Sequence, residues 1–522
     1  MKYLLYSCLF ILLSSMVACD EEKFLKEDVR DKLTADNLYN TPEGFEYGIN
    51  ALHARLQLER SPWGGELLRG AFAIIATDAY YSARFTNADM SFTEWGNYMN
   101  PSLSSVRNFW NLLYSIINSA NTIIERAGRS EVEWGSENAK NEIIAQARCI
   151  RAWAYRHLTY CWGDVPLVLD ESSGSKIKLD WARTSKQEVW TAMEEDWVFA
   201  AQYLPDIQRL PGRLNKAVAQ HYLAELYLAM GNTQKAETAA LAVTNNPLFK
   251  LITERYGVRA NAPGVPFMDQ FLEGNVFYRQ GNTEVLWEFP YEKNVNGGGS
   301  NVMRRNWVAR YESIPNCNNN NSIMGRGSEF LAVTDFAFGL YEPGDDRGGE
   351  YAINRYVIND FGDTVFTRLA ATPEPVTDPY RPTTAKWNDG DPLNPSSGDG
   401  YNDQPYLRLA ETYLLLAEAQ FLLGKSGEAA NAINRLRTRS NATPITAEQV
   451  NIDFILDERI RELLGEEHRR YTLLRLNKWM ERTKPNNFQC GPYIQEHNNL
   501  YPIPQTVIDA NLELEMTQNT GY

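Results

Sequence analysis

The chain has 522 residues but only five histidines and six cysteines, and positive charge is short: 51 Lys and Arg stand against 66 Asp and Glu, a formal net charge of −15. Nucleic acid is a poor partner for such a chain, because phosphates need clustered Lys and Arg to neutralise them. No HExxH, CxxC, P-loop or GxSxG motif occurs. The histidines (His53, His157, His221, His468 and His497) show no paired metal spacing. His157 and His221 fall inside helical patterns, where packing or interhelical hydrogen bonding is the expected role. Beyond residue 20 no apolar run reaches the length that spans a bilayer. Hydrophobic residues make up 43% and charged residues 22%, the balance of a folded protein rather than a disordered one.

The one sustained apolar run lies at the start. Lys2 supplies a short positive end, Tyr3 to Leu13 the apolar stretch, and Ser14, Ser15 and Ala18 the small residues before a cut. Met16-Val17-Ala18-Cys19 resembles a bacterial lipobox, in which the cysteine is acylated. Residues 1–18 are therefore read as a lipoprotein signal peptide and Cys19 as the lipidation site, an anchor without a transmembrane helix. The acidic Asp20, Glu21 and Glu22 that follow resemble a surface-export signal. Cys149, Cys161, Cys317 and Cys490 are then the remaining thiols, too few for a disulfide scaffold. On one helix Cys149 and Cys161 would lie about 18 Å apart, beyond bridging distance.

Three regions follow. Residues 19–245 are mainly helical in pattern: Thr41-Pro42-Glu43 opens a helix with a cap and a proline, residues 103–128 and 137–160 are two long helical stretches, and residues 186–204 and 215–245 continue the theme. Residues 246–402 are rich in Gly, Pro and Asn, with strand-like pieces such as Val285 to Phe289. Residues 403–522 return to helix. A segment with Ala224-Glu225, Gly231 and Ala236 recurs as Ala417-Glu418, Gly424 and Ala429 at the same spacing. Each copy reads as helix, glycine turn, helix, the tetratricopeptide-like pattern. The fold class expected is mainly α: a helical-repeat scaffold with a large loop-rich insertion carrying short strands and helices.

Charge runs at Glu458 to Glu462 and Glu466 to Arg470 have opposite charges three or four apart, and are expected to form ion pairs on a helix surface. Asp389-Gly390-Asp391 and Asp399 to Asp403 could offer oxygen ligands to a structural calcium ion, but at no EF-hand spacing. No other cofactor is indicated. Aromatics reach 12%. One group (Tyr80, Tyr81, Phe85, Phe92, Trp95, Tyr98) and another (Trp287, Tyr291, Trp307, Tyr311) sit among Asn, Asp, Ser and Thr. Sugar rings present apolar C–H faces rimmed by hydroxyls, so platforms beside hydrogen-bonding side chains suit them.

Several segments together resemble the SusD/RagB family of outer-membrane nutrient-binding lipoproteins. They are Ala147 to Tyr155 with Trp162-Gly163-Asp164-Val165-Pro166-Leu167, Gly212 to Ala217 with Ala224 to Gly231, Tyr406 to Ala419, Asn434 to Arg437, Glu458 to Leu463, Leu500 to Gln505 and Gln518 to Tyr522. Gln146, Trp162 and Thr520 depart from the usual residues at packing and turn positions. The resemblance implies a cell-surface lipoprotein of the outer membrane that binds glycan and passes it to a SusC-like TonB-dependent transporter, breaking no bond. The same scaffold would also serve a peptide or other non-sugar cargo, and a surface glycosidase would need a carboxylate pair that no motif marks. From chemistry and placement the expected ligand residues are Asp78, Tyr81, Arg84, Trp95, Asn97, Trp287, Tyr291 and Trp307.

Overall fold

The computed structural model describes residues 34–63, 67–83, 91–173, 178–318, 326–368, 379–388, 394 and 396–522. Cys19 and Arg84 lie outside them. The longer helices are α1 (Pro42–Gln57), α2 (Ser104–Ala127), α3 (Glu137–Trp162), α4 (Lys186–Tyr203), α5 (Lys216–Ala229), α6 (Thr233–Thr244), α7 (Leu409–Leu422), α8 (Ser426–Arg439), α9 (Ile452–Leu463), α10 (Arg469–Arg475), α11 (Trp479–Asn486) and α12 (Gln505–Ala510). Their starts are chemically marked. Thr41 caps α1, with Pro42 at its first position, Ser136 caps α3, and Ser185 with Glu188 forms a capping box on α4.

Consecutive helices from α2 to α8 pack in series, and α6 packs directly on α7. The scaffold is thus continuous in space although residues 246–402 interrupt it in sequence. The two repeat copies superimpose chemically. Gly231 and Gly424 both take left-handed backbone, with φ of 74° and 75°, and no neighbour crowds either, so conformation alone selects glycine there. Ala224, Ala236, Ala417 and Ala429 are fully buried between helices. The repeat glutamates each hold a buried arginine: Glu225 with Arg156 at 2.9 Å, and Glu418 with Arg475.

The insertion is built of short ladders. Strand β1 (Tyr80–Ser82) pairs with β3 (Leu331–Val333), and β2 (Val285–Phe289) pairs with β6 (Gln404–Arg408), while β4 (Tyr356–Ile358) and β5 (Thr364–Phe366) form a hairpin, all antiparallel. The β2–β6 ladder joins the start of the insertion's fold to the entrance of α7.

The charge runs do not lie on a helix surface. Glu458, Arg459, Glu462, Glu467, Arg469 and Arg470 are buried. Glu462 meets Arg439 at 2.6 Å, Arg408 at 3.0 Å and Arg347 at 3.2 Å. Glu284 reaches the same Arg408 and Arg439 at 2.6 and 2.8 Å, and Glu458 joins Arg347 to Arg437, each at 2.8 Å. Glu458 and Arg461 do pair at 2.7 Å, as expected from their spacing. Glu466, however, turns to Arg408 and Lys386, and Arg470 lies over the rings of Tyr501, Trp479 and Trp95. Arg347 and Lys386 come from the insertion, so the network fastens it to the C-terminal helices.

Removing one partner strands the others. Glu462→Gln is expected to cost about 3–5 kcal/mol by leaving buried guanidinium groups undercompensated. Lys235→Gln, which breaks a largely exposed pair with Glu194, should cost under about 1 kcal/mol. Guanidinium unfolding of the two variants measures both.

Candidate functional site

A cleft of about 780 Å³ opens where α1, the 211–213 turn, the end of β2 and the Gly-rich loop meet. Asn50, His53 and Gln57 face it from one side of α1. Pro211, Gly212 and Arg213 form a second wall, and Phe277, Phe289 and Tyr291 supply rings. Asn296, Gly297 and Gly298 close the rim, with Asp403 beside Tyr291.

The polar groups are positioned by definite bonds. Arg213 donates to Glu46 at 2.6 Å and to Asn50 at 2.7 Å. Gln57 donates to the Pro290 carbonyl, and the Tyr291 amide donates to Asp403 at 2.9 Å. His53 sits 3.2 Å from Gln146 through Nε2; burial and then Arg213 push its pKa down to about 3, so it is neutral at pH 7. Two carboxyls shift the other way. Burial raises Glu288 to about 7, against donors from Gln208 at 3.1 Å and Gly212 at 3.2 Å. Burial, and then the neighbouring Glu273, raise Asp403 to about 7. The cleft is therefore a hydrogen-bonding surface with three rings, lined also by Arg213 and Glu292 beside the two carboxyls whose pKa values are raised.

Comparison with known proteins places the chain. Residues 283–522 match the model described as SusD family, and residues 72–228 match the one described as starch-binding associating with outer membrane. SusD-like protein P2 of Formosa agariphila is 28% identical over 539 aligned residues, covering 98% of both chains. The starch-binding protein SusD of Bacteroides thetaiotaomicron is 37% identical over 146 residues, which is 26% of this chain and 25% of that one.

The chain belongs to the SusD family. Its fold agrees: a solved laminarin-binding SusD-like protein matches with a TM-score of 0.70 at 22% identity, over 92% of this chain and 99% of that chain.

Within this SusD-family fold the expected ligand residues scatter. Tyr291 lies in the cleft, 6% exposed, and its hydroxyl has no partner among the described residues. Trp287 lies beneath the cleft wall, buried, donating to the Gly212 carbonyl at 3.0 Å and packing on Tyr406. Asp78 is buried and binds Arg469 at 2.7 Å and Arg482 at 2.8 Å, a structural ion cluster. Trp95 is fully buried, stacked on Tyr501 and donating to Tyr522 at 3.0 Å. Trp307 is buried with its ring edge-on to Tyr80. Tyr81 is buried in β1, with Arg381 over its ring and Phe488 at its edge. Asn97 is exposed and donates to Glu94. In this structure Trp95, Trp287 and Trp307 are core, each with almost no exposed surface. The α1 residues Asn50, His53 and Gln57 carry no motif, and sequence reasoning passed over them.

Among the described residues one group has metal-like spacing: Glu59, His157 and His468. His468 and Glu59 are already committed to each other, while His157 Nε2, 3.8 Å from Glu59, has no hydrogen-bond partner among the described residues. Arg156 can only donate, and its Nη1 lies 2.8 Å from His468 Nδ1. The proton of His468 is then on Nε2, facing Glu59 at 2.9 Å. Burial alone would raise Glu59, but His468 and His157 draw it down to about 2. His157 uses Nδ1 on Tyr471 at 2.9 Å. A cation here would have to displace the His468 proton that faces Glu59. Of the acidic loop proposed for calcium, residues 389–393 lie outside the described ones.

Two outcomes follow from this geometry. Glu288 binds its proton more tightly in the folded chain than unfolded, so its contribution is present below about pH 4.5 and lost as pH rises through 7. His53, His157 and His221, whose pKa values burial lowers, act in the opposite direction over the same range, so the effect is read as a difference. From pH 5 to pH 8 the stability of Glu288→Gln should change by roughly 2–3 kcal/mol more favourably than that of the wild type, measured by unfolding at both pH values. Trp95→Ala should destabilise the chain by about 3–5 kcal/mol, seen as a lowered Tm.

Proposed function

We propose that this chain is a surface lipoprotein that captures glycan and hands it to a SusC-like TonB-dependent transporter in the outer membrane. Cys19 carries the lipid, and the capture step breaks no covalent bond. The observation that carries this reading is the family membership, whose named members include a starch-binding SusD and a laminarin-binding protein. The chemistry of the Tyr291 cleft agrees with it: ring edges beside amide, hydroxyl and protonatable carboxyl groups suit the rim and face of a neutral sugar. Among the described residues no helix is long and apolar enough to cross a membrane.

Affinity electrophoresis of the chain from residue 20 onward, in gels containing starch, laminarin or other plant and microbial polysaccharides, tests the reading. At least one polymer should retard the protein without releasing reducing ends. Tyr291→Ala should weaken that retardation roughly threefold to tenfold. No retardation by any polymer, or release of sugar from one, overturns the proposal. Separately, palmitate labelling of cells expressing the full chain should disappear in Cys19→Ser.

A further inference from the structure

A second groove, of about 560 Å³, which shares no lining residue with the first, lies between α2, residues 166–172 and 178–181, and α12. Its floor is aromatic. Trp110 and Tyr114 sit one turn apart on α2 with ring centroids 5.0 Å apart and a 36° tilt. Trp181 faces them from the connecting segment. Each ring is fixed from behind. Trp162 packs edge-on against Trp110 at 5.1 Å, and the Tyr114 hydroxyl donates to the Pro166 carbonyl at 2.8 Å. The Trp181 main chain is clasped by Asn511, which accepts its N–H at 2.7 Å and donates to its carbonyl at 2.9 Å. The Glu513 amide donates to the Leu179 carbonyl at 2.9 Å, fastening the chain's end to the same segment.

The polar lining is divided. Asn118 spends both ends of its amide on the Ser172 main chain. Asn111 and Thr506 are exposed, and neither side chain makes a hydrogen bond among the described residues. Lys178 stands 5.3 Å over the Trp181 ring. No carboxylate lines the groove, in contrast to the Tyr291 cleft and in spite of the acidic chain. The volume falls in the range of small-ligand sites, roughly 300–1,000 Å³. Rigid rings lining an open trough, with an unspent amide and hydroxyl at its edge, match the C–H face and hydroxyl rim of a pyranose.

We propose that this groove is a second glycan-binding site, taking a neutral sugar ring of the same polymer that the Tyr291 cleft binds. The proposal rests on the glycan reading above. Two shallow sites on one rigid scaffold would grip one long chain more tightly than either alone, because the second contact is made at high effective concentration.

The test uses whichever polymer retards the wild-type protein and an oligosaccharide cut from it. Titration calorimetry of the wild type with the oligosaccharide should give two sites per chain, and Trp181→Ala should give one. In polymer gels Trp181→Ala should weaken retardation about threefold to tenfold, the value of one lost ring contact. Asn111→Ala removes an exposed side chain that nothing in the fold depends on; it should weaken binding about twofold to threefold with an unchanged Tm. If no polymer retards the wild type, the glycan reading and this site fall together. If the wild type is retarded while both variants bind like it, or if titration gives one site that survives Trp181→Ala, the groove proposal falls and the glycan reading stands.

Discussion

The buried charge network around Glu462 is the constraint on which the rest of the arrangement depends. A helical-repeat scaffold that is interrupted by more than a hundred residues has to hold that insertion in one register. Apolar packing is non-directional and fixes a register poorly, whereas bidentate guanidinium–carboxylate pairs have one good geometry. Glu284 stands immediately before β2, and Arg408 ends β6. Their 2.6 Å contact, with Arg439 and Glu462 behind it, pins one end of the β2–β6 ladder to the C-terminal helices. The other end of the same ladder carries Tyr291 and Asp403. The cleft is thus positioned by charges on the far side of its own wall. Apolar residues of equal volume could match the stability of such a cluster; its directional bonds also set the register.

The same choice sets the chain's response to acid. Glu458, Glu466 and Asp78 are drawn below the usual carboxylate range by adjacent arginines, against the upward push of burial. Their stabilisation is present above the unfolded pKa and disappears as pH falls through the folded value. Glu288 and Asp403, which no arginine faces as closely, oppose folding as pH rises towards 7. The fold is held between these two sets, one belonging to the scaffold and one to the cleft.

Much of the scaffold was legible because its signals are local. The cap at Thr41 and the turn glycines Gly231 and Gly424 of the repeat act within a few residues. The site was less legible because its determinants are distant. Asp78 reads as a ligand residue from its neighbours in sequence, while Arg469 and Arg482, from the far end of the chain, close on it. The strand that carries Trp287 is buried at all five positions, so no alternation separates a core indole from an exposed one. Trp95 lies beside polar residues in sequence, yet Tyr501, Trp479 and Arg470 enclose it. Charges spaced three or four apart satisfy the rule for a solvated helix face equally well when other elements cover that face, which is why the runs after Glu458 read as surface.

Gly212 shows where the two kinds of information meet. It belongs to a motif that marks the scaffold, and its φ of 80° requires glycine in the turn before α5. A side chain there would also strike Pro290 at 2.9 Å. Its carbonyl accepts the Trp287 indole and its amide donates to Glu288, so one residue kept for the turn also seals the wall of the cleft and orients its carboxyl. Opposite that wall, Asn50, His53 and Gln57 project from α1, and each is tied to its surroundings: Asn50 accepts from Arg213, His53 meets Gln146, and Gln57 donates to the Pro290 carbonyl. The bonds that shape the cleft are therefore also bonds that join α1 to its neighbours, so the wall and the scaffold share residues.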